Sequence, residues 1–263
     1  MRVALIQMTS VPDIDLNIKS ILNGIKEAKK NKADIVLFPE NCGYIGRGFE
    51  MIANASVESR HPTLLATKEA AKKYSIFVLL GSIAVYPSKN NKKKLANRSL
   101  LINDLGKVCA RYDKINMFDA ILSEKESYRE SERYIAGSKI VVVDNELGKI
   151  GLTICYDIRF PELYSKLSYK GCNIITIPSA FTKNTGKDHW EVLLRTRAIE
   201  TCSWILAPAQ VGKHYGERET WGHSMVVDPW GNIIAEAKNN EKIILADIDI
   251  NKSNNVKKIW GRI

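Results

Sequence analysis

The stretch that decides the fold reads Gly151-Leu-Thr-Ile-Cys155-Tyr-Asp-Ile-Arg-Phe-Pro-Glu162. Its first half belongs to an apolar run over residues 150–155, which has the length of a buried strand, and the residues from Pro161 onward predict a helix over 161–169. A buried strand followed at once by a helix is typical of α/β proteins, whose sheets are covered by helices. The stretch therefore predicts a buried strand with Cys155 at its carboxyl end.

Strands and helices alternate on both sides of this stretch. Before it, the pattern predicts helices over 15–30 and 63–73 and strands over 2–8, 34–38, 76–80, 99–102 and 108–112. After an irregular, charged segment at 123–134, it predicts strands over 140–143, 173–177 and 204–209, a helix over 188–202, and a strand, turn and strand over 224–248. The fold class is α/β, while the pattern leaves the number of sheets open.

Composition favours one globular domain over residues 1–263. The 263 residues are 45% hydrophobic, which is enough for a sizeable core, and no segment repeats. No apolar run approaches the roughly 18 residues that span a bilayer, and the first residues lack the apolar run of a secretory signal. Five widely spaced cysteines without a C-x-x-C pair indicate free thiols. We expect a cytoplasmic protein with no membrane contact and no metal.

The net charge of +10 calls for a comparison with nucleic-acid-binding proteins. Much of the excess lies in lysine-rich segments at 26–32, 88–94 and 251–258, which we interpret as solvated faces and loops. Zinc-finger spacing and an RNP-type aromatic platform are both missing from the sequence. We therefore expect no nucleic-acid partner.

Three reactive side chains each follow an apolar strand. Glu40 follows the strand at 34–38, Lys114 follows the one at 108–112, and Cys155 ends the one at 150–155. Ligand crevices of open α/β sheets form at the carboxyl ends of the strands, so these three residues could meet although they are far apart in sequence.

Their chemistry is coherent if they meet. A thiol becomes a better nucleophile when a base such as Glu40 takes its proton. The tetrahedral intermediate of acyl transfer carries a negative oxygen, which the Lys114 ammonium and the Tyr156 backbone amide would stabilise. Protonated Glu40 would then donate to the departing ammonia and activate the water that hydrolyses the thioester. The predicted reaction converts an amide and water to an acid and ammonia.

The stretch around Cys155 closely resembles the nucleophile segment of the nitrilase superfamily, or carbon–nitrogen hydrolases. Leu37-Phe-Pro-Glu40 and Arg111-Tyr-Asp-Lys114 resemble its base and lysine segments. The resemblance implies a four-layer αββα sandwich, a homodimer, and chemistry without a metal or organic cofactor. It also implies a second glutamate that orients the lysine, for which Glu130 is the best match. Three neighbours compete for that position: Glu124, Glu126 and Glu132.

Within the superfamily, Arg195-Thr-Arg-Ala-Ile-Glu-Thr201 resembles the Nit branch, which includes deaminated glutathione amidase and omega-amidase. Arg129-Glu-Ser131 favours the former. The implied substrate is a small carboxylic acid that bears an amide, and a cationic side chain should hold its carboxylate. The sequence offers three candidates for this contact: Arg159, Lys183 and Arg195.

Other functions fit parts of the same sequence. An omega-amidase or an N-carbamoyl amino acid hydrolase would use the same reactive residues, and a catalytically silent binding protein would share the fold. A Cys–His protease would instead take its base from His189, His214 or His223. Zinc hydrolysis has little support, because no H-E-x-x-H motif occurs.

Overall fold

A computed structural model describes residues 1–87, 94–124, 126–216 and 218–261. In chain order, its N-terminal half contains β1 (Arg2–Gln7), α1 (Ile14–Lys30), β2 (Ile35–Leu37), α2 (Gly48–Ala53), β3 (Ser56–Val57), α3 (Pro62–Tyr74), β4 (Phe77–Tyr86), β5 (Ala96–Ile102), β6 (Val108–Asp113), β7 (Asp119–Ser123) and β8 (Glu126–Arg129). The C-terminal half contains β9 (Val142–Asn145), β10 (Gly148–Leu152), α4 (Pro161–Tyr169), β11 (Ile174–Thr176), α5 (Lys183–Thr201), β12 (Trp204–Ala207), β13 (Val211–Tyr215), β14 (Arg218–Trp221), β15 (Met225–Val227), β16 (Ile233–Glu236), β17 (Lys242–Asp247) and α6 (Ile250–Ile259).

The strands form two main sheets. The first has the order β17-β1-β2-β4-β5-β6, with β3 beside β4, and the second has the order β16-β15-β12-β11-β10-β9. In each sheet three central strands are parallel and the outer ones are antiparallel. The carboxyl ends of the central strands therefore share one edge in each sheet. Two hairpins, β7–β8 and β13–β14, stand outside the sheets.

Side chains alternate between two cores along the central strands of the first sheet. In β1, Val3 and Leu5 belong to the core shared with the second sheet, whereas Ala4 and Ile6 belong to the core beneath α1 and α3. The shared core continues into α5 through Trp190. Such alternation is expected of a strand that is buried on both faces. The layers are α1 and α3, the two sheets, then α4 and α5, which confirms the expected αββα sandwich.

The structure corrects several sequence predictions. The segment at 123–134 is mostly the hairpin β7–β8 and a 3₁₀ turn at Glu130–Glu132, and its charged, half-exposed residues hide the alternation of a strand. Helix α5 begins five residues before the predicted start, because Thr182 caps it by accepting from the Thr185 amide. The lysine-rich segment at 251–258 belongs to α6, which buries Ser253, Val256 and Lys257.

Two further expectations concern loops and membranes. The lysine-rich loop predicted at 88–94 lies, except for Lys94, outside the described residues. Within the described ranges, every helix is too short or too polar to cross a membrane.

Candidate active site

Cys155 begins a 3₁₀ turn, Cys155–Arg159, just after β10. Its φ of +47° lies in the left-handed region, which residues with a side chain adopt rarely. The surroundings hold this backbone in place, since the Cys155 amide donates to the Pro178 carbonyl at 3.0 Å. The turn leaves the thiol at the carboxyl edge of the second sheet, where Cys155 is only 8% exposed.

Asp157 fastens this turn to the first sheet. One of its oxygens accepts from the Ile154 amide at 2.9 Å and from the Tyr112 hydroxyl at 2.7 Å. The other accepts from the Asn116 backbone at 3.0 Å and from the Asn116 side chain at 2.8 Å. Burial raises the pKa of Asp157, and these four donors satisfy its carboxyl group. This role of Asp157 was not predicted from the sequence.

Glu40 follows β2 and lies opposite the 3₁₀ turn that begins at Cys155. Its Oε1 accepts from Lys114 Nζ at 3.0 Å and from the Asn97 side chain at 2.9 Å, and its Oε2 accepts from the Ala180 amide at 3.0 Å. The Cys155 thiol lies near this carboxylate, which helps to raise the pKa of the thiol. The base candidate thus comes from the first sheet and the sulfur from the second.

The backbone around Glu40 has no spare room. A Cβ at Gly81 would lie 1.9 Å from the Phe38 carbonyl oxygen and 2.4 Å from that of Pro39. Any other residue at this position would push the Glu40 segment away from β4.

Lys114 lies between two carboxylates. Its ammonium nitrogen is 3.0 Å from Glu40 and 2.8 Å from Glu130 Oε2, which also accepts from the Phe118 amide at 2.7 Å. The Asn97 side chain donates to Glu130 Oε1 at 3.2 Å, so it touches both carboxylates. The structure therefore brings Glu40, Lys114, Glu130 and Cys155 together, as the sequence predicted. Asn97 is a contact that sequence reasoning missed.

The burial of this cluster sets its protonation states. Burial raises the pKa of the Cys155 thiol well above its ordinary value, and the nearby Glu40 carboxylate raises it further. Burial acting alone would raise the pKa of Glu40, but the Lys114 ammonium and the hydrogen bonds bring it below the ordinary value. Burial would lower the pKa of Lys114, yet Glu130 and Glu40 raise it well above the usual range. At neutral pH the cluster is a thiol, a carboxylate that can take its proton, and an ammonium.

A pocket opens above the four residues, with about 850 Å³ of empty space when the part open to solvent is included. A concave pocket of this kind is typical of small-molecule sites. Its charged lining is mostly basic, since Glu40 and Glu130 are the acids among the described lining residues, whereas the cations are Lys114, Arg129, Arg133, Arg159 and Arg218. The pocket therefore attracts an anionic molecule.

Two further predicted residues line this pocket. Tyr156 follows Cys155, and its ring packs against Phe118 and Phe160, with ring centroids 4.9 and 5.4 Å apart. Arg159 lies over the Phe181 ring at 5.4 Å, and its guanidinium is 3.1 Å from His189 Nδ1. Both positions are open to a bound substrate.

Lys183 and Arg195 do not line the pocket, which corrects their predicted contact with the substrate. Lys183 is exposed and pairs with Glu219 at 3.0 Å. Arg195 donates to the Gly231 carbonyl at 2.9 Å and pairs with Glu191. Lys183 begins α5, and Arg195 lies on its outer face between Val192 and Ile199, so both side chains are directed away from the pocket.

The histidines are placed unfavourably for a Cys–His mechanism. His214 is buried, with Nδ1 donating to the Ser10 carbonyl and Nε2 facing the Thr220 hydroxyl, and burial lowers its pKa to about 4. His223 stacks on Trp221. Neither of them, nor His189, is among the described residues that line the pocket. In the same described part of the chain, no group of three or more His, Cys, Asp or Glu side chains could hold a metal ion.

Comparison with known proteins agrees with this geometry. The profile of the family described as "Carbon-nitrogen hydrolase" matches residues 2–258. The chain belongs to the carbon-nitrogen hydrolase family. Two relatives named deaminated glutathione amidase, from Yersinia enterocolitica and Synechocystis, are 40% and 37% identical to this hydrolase. The first alignment covers 89% of this chain and 82% of the relative, and the second covers 97% and 93%.

Solved structures extend the agreement to the fold. The C. elegans NitFhit protein matches this hydrolase with a TM-score of 0.89 at 35% identity, over 99% of this chain and 63% of the worm chain. Nit3 from Saccharomyces cerevisiae, described as a member of branch 10 of the nitrilase superfamily, matches with a TM-score of 0.88 at 29% identity. That match covers 98% of this chain and 93% of Nit3. The family resemblance drawn from the Cys155 segment is confirmed.

Proposed function

We propose that this carbon-nitrogen hydrolase is an amidase with Cys155 as nucleophile, Glu40 as general base and acid, and Lys114 as electrophilic partner. One observation carries the proposal: Cys155 and Glu40 line one pocket, and the Glu40 carboxylate accepts from the Lys114 ammonium at 3.0 Å. The nucleophile, its base and a fixed positive charge therefore share one buried site.

The reaction proceeds through a thioester. Glu40 takes the thiol proton as the sulfur attacks the amide carbon, and the oxygen of the tetrahedral intermediate is stabilised by the Lys114 ammonium and the Tyr156 backbone amide. The carbon–nitrogen bond then breaks, and Glu40 gives its proton to the leaving nitrogen. Glu40 next activates a water, which hydrolyses the thioester to the acid and restores the thiol.

Glu130 acts through Lys114. A buried ammonium is costly unless it is paired, and Glu130 supplies a second carboxylate at 2.8 Å while its other contacts keep it in place. Lys114 thus remains charged and correctly placed when Glu40 becomes protonated during the reaction.

The proposed substrate is the amide of a small carboxylic acid, and deaminated glutathione is the first candidate. The basic pocket favours an acidic molecule, and relatives at 37–40% identity carry that substrate in their names. Deaminated glutathione has secondary amides, so its cleavage releases an amine, whereas a primary amide releases ammonia. An omega-amidase or an N-carbamoyl amino acid hydrolase is the alternative.

A side-by-side screen tests the proposal. Deaminated glutathione, alpha-ketoglutaramate, N-carbamoyl amino acids and nitriles are each mixed with the protein, and the release of acid, amine and ammonia is measured. We expect deaminated glutathione to have the highest kcat/KM. A much higher kcat/KM for a carbamoyl compound or a nitrile would overturn the proposed substrate but not the proposed role of Cys155. No turnover above a Cys155→Ala control would favour a silent binding protein.

We also propose that residues 1–263 act as one domain in a homodimer. Exposed apolar side chains lie together on the face formed by α5, the β15–β16 turn and α6: Val192, Ile199, Trp230, Ile234, Ile259 and Trp260. Trp230 and Trp260 stack at 6.0 Å, and a Cβ at Gly231 would touch Ile199, so this apolar face is continuous. Contiguous apolar surface of this kind is typical of protein interfaces.

Light scattering tests the dimer. We expect twice the 29.6 kDa mass of one chain for the wild type and a single-chain mass for Trp260→Glu combined with Ile199→Asp. Leu105→Asp, at another exposed apolar position, serves as the control. A single-chain mass for the wild type would contradict the proposal. The five cysteines are widely spaced and form no C-x-x-C pair, which supports a cytoplasmic, reducing location.

A further inference from the structure

The pocket contains a guanidinium that no described residue pairs with. Arg218, at the start of β14, lines the pocket on the side of the two hairpins. In the described ranges no carboxylate oxygen lies within 4 Å of its guanidinium, whereas Arg2, Arg98, Arg129 and Arg195 each have an acid partner at that distance. A charge withdrawn from water is normally paired, so an unpaired arginine inside a substrate pocket calls for an anionic ligand.

We propose that Arg218 binds the carboxylate of the substrate, at the end of the pocket away from the reacting amide. The proposal rests on the amidase function above. It narrows the substrate class to amides whose free carboxylate lies at a fixed distance from the carbon attacked by Cys155. An arginine presents a planar fork of donors that fits a carboxylate with two parallel hydrogen bonds.

Two tyrosines hold this guanidinium without consuming its charge. Its carbon lies 6.0 Å from the Tyr128 ring centroid and 5.9 Å from that of Tyr215. An arginine has five N–H donors, so most of them remain for a ligand. Aromatic rings stabilise a cation through their π faces while leaving its edge free. Tyr128 and Tyr215 also line the pocket, so a ligand at Arg218 would be enclosed on two sides.

The other pocket arginines are engaged differently. Arg159 covers the Phe181 ring and contacts His189. Arg129 is exposed, with 70% of its side chain accessible, and lies 4.0 Å from Glu132. Arg133 and Arg159, like Arg218, have no described carboxylate oxygen within 4 Å, but Arg133 lies against Gly48, where an added Cβ would be 2.6 Å from its guanidinium. Arg218 is the pocket arginine that lies near two tyrosine rings, which makes it the better carboxylate site.

The position of Arg218 between the two hairpins also supports a ligand site. Tyr128 belongs to β8 and Arg218 to β14, so their contact joins the two hairpins that stand outside the sheets. A carboxylate at Arg218 would therefore bind where both hairpins meet.

A matched pair of amides tests the inference. Glutaramate carries a primary amide and a carboxylate, and pentanamide has the same chain length without the charge. For Arg218→Gln we expect kcat/KM on glutaramate to fall about 100-fold, mostly through KM, because a buried charge contact is lost. On pentanamide the change should stay below about 3-fold. Arg218→Lys should be intermediate, since it keeps the charge but not the fork.

Arg195→Gln, outside the pocket, is the matched control, and Arg129→Gln and Arg159→Gln test the competing pocket cations. An equal loss on both amides with Arg218→Gln would indicate a structural role and overturn the inference, as would a larger glutaramate loss with Arg159→Gln. Equal use of both amides by the wild type would overturn it too, while leaving the amidase function intact.

A binding experiment separates the two proposals. Calorimetric titration of glutarate into Cys155→Ala, with and without Arg218→Gln, measures the carboxylate site without catalysis. Binding that is lost with Arg218→Gln supports the inference even if no amide is hydrolysed. Unchanged or undetectable binding overturns it.

Discussion

The floor of the pocket consists of Glu40, Lys114, Glu130 and Cys155, and its rim is the side where Arg218 lies. The two regions differ in whether their charged groups have partners of opposite charge. In the floor each ionised group has a partner from the chain, and Glu40 and Lys114 are 4% and 2% exposed. At the rim, Arg218 is held by tyrosines and has no described acid within 4 Å. The floor is organised before a substrate arrives, which favours the transition state, whereas the rim supplies charge that only a ligand completes.

This difference predicts two kinds of variant. A change in the floor should lower kcat for every amide, because it affects the chemical step. A change at the rim should raise KM for acidic amides alone, because it removes binding that ground state and transition state share.

The largest effect is expected from Cys155→Ala, which removes the nucleophile. We expect kcat to fall by at least about 10⁵-fold for acidic and neutral amides alike. Cys109→Ala changes an exposed cysteine outside the pocket and is the matched control, with activity near that of the wild type. Residual turnover above about 1% in Cys155→Ala would exclude the thioester route.

Glu40→Gln should follow, with kcat about 10³-fold lower. Glutamine has a similar shape but cannot take the thiol proton, and with one acceptor oxygen it leaves Lys114 or the Ala180 amide without its present partner. Steady-state kinetics measure the loss, and a thermal unfolding scan shows how much of the variant is folded at the assay temperature. Activity within 10-fold of the wild type would assign the base elsewhere.

Glu130→Gln should lower kcat between about 100- and 1000-fold with little change in KM, since Lys114 loses one of its two carboxylates. Glu132→Gln in the same 3₁₀ turn is the control, because Glu132 is exposed. A rise in KM with an unchanged kcat would instead place Glu130 in substrate binding.

Acid should lower the stability of the β13–β14 hairpin, which carries Arg218, because His214 in β13 becomes protonated. Its folded pKa of about 4 lies below the ordinary 6.5, so the neutral imidazole contributes stability that is complete above pH 6.5 and declines as the pH falls toward 4. The contribution is about 3 kcal/mol. Urea midpoints from pH 7 to pH 4.5 measure it. His214→Asn should remove the part of this dependence that His214 contributes and leave the part from His61, whose pKa burial also lowers to about 4. His189→Asn at an exposed site should leave the dependence unchanged.

The smallest effects are expected from Lys183→Ala and Arg195→Ala. Both side chains are solvent-exposed and pair with surface acids, so each substitution should change kcat/KM less than about 2-fold and the free energy of unfolding by less than about 1 kcal/mol. If either variant lost kcat/KM on acidic amides alone, that residue of α5 would belong to the substrate-binding rim.

The floor was predictable because its positions follow from strand ends. Glu40, Lys114 and Cys155 each come after an apolar run, and the carboxyl ends of central strands meet at one edge. Glu130 lies in a charged segment with three other glutamates, so local pattern could not single it out and the family resemblance was needed.

The rest depended on contacts that sequence pattern does not encode. Asn97 looks like an ordinary polar residue inside β5, yet it meets Glu40 across 57 positions of the chain. Arg218 lies in a hairpin without an apolar signature. Arg195 and Lys183 were misplaced because the orientation of α5 depends on its packing and on its start at the Thr182 cap.

Cys155 and Glu40, the proposed nucleophile and base, come from opposite sheets, so turnover should depend on how the two sheets are packed together. A small slip between the sheets would separate the reacting pair while leaving every helix intact. Under mild denaturant, we expect catalysis to disappear before the far-ultraviolet circular dichroism changes.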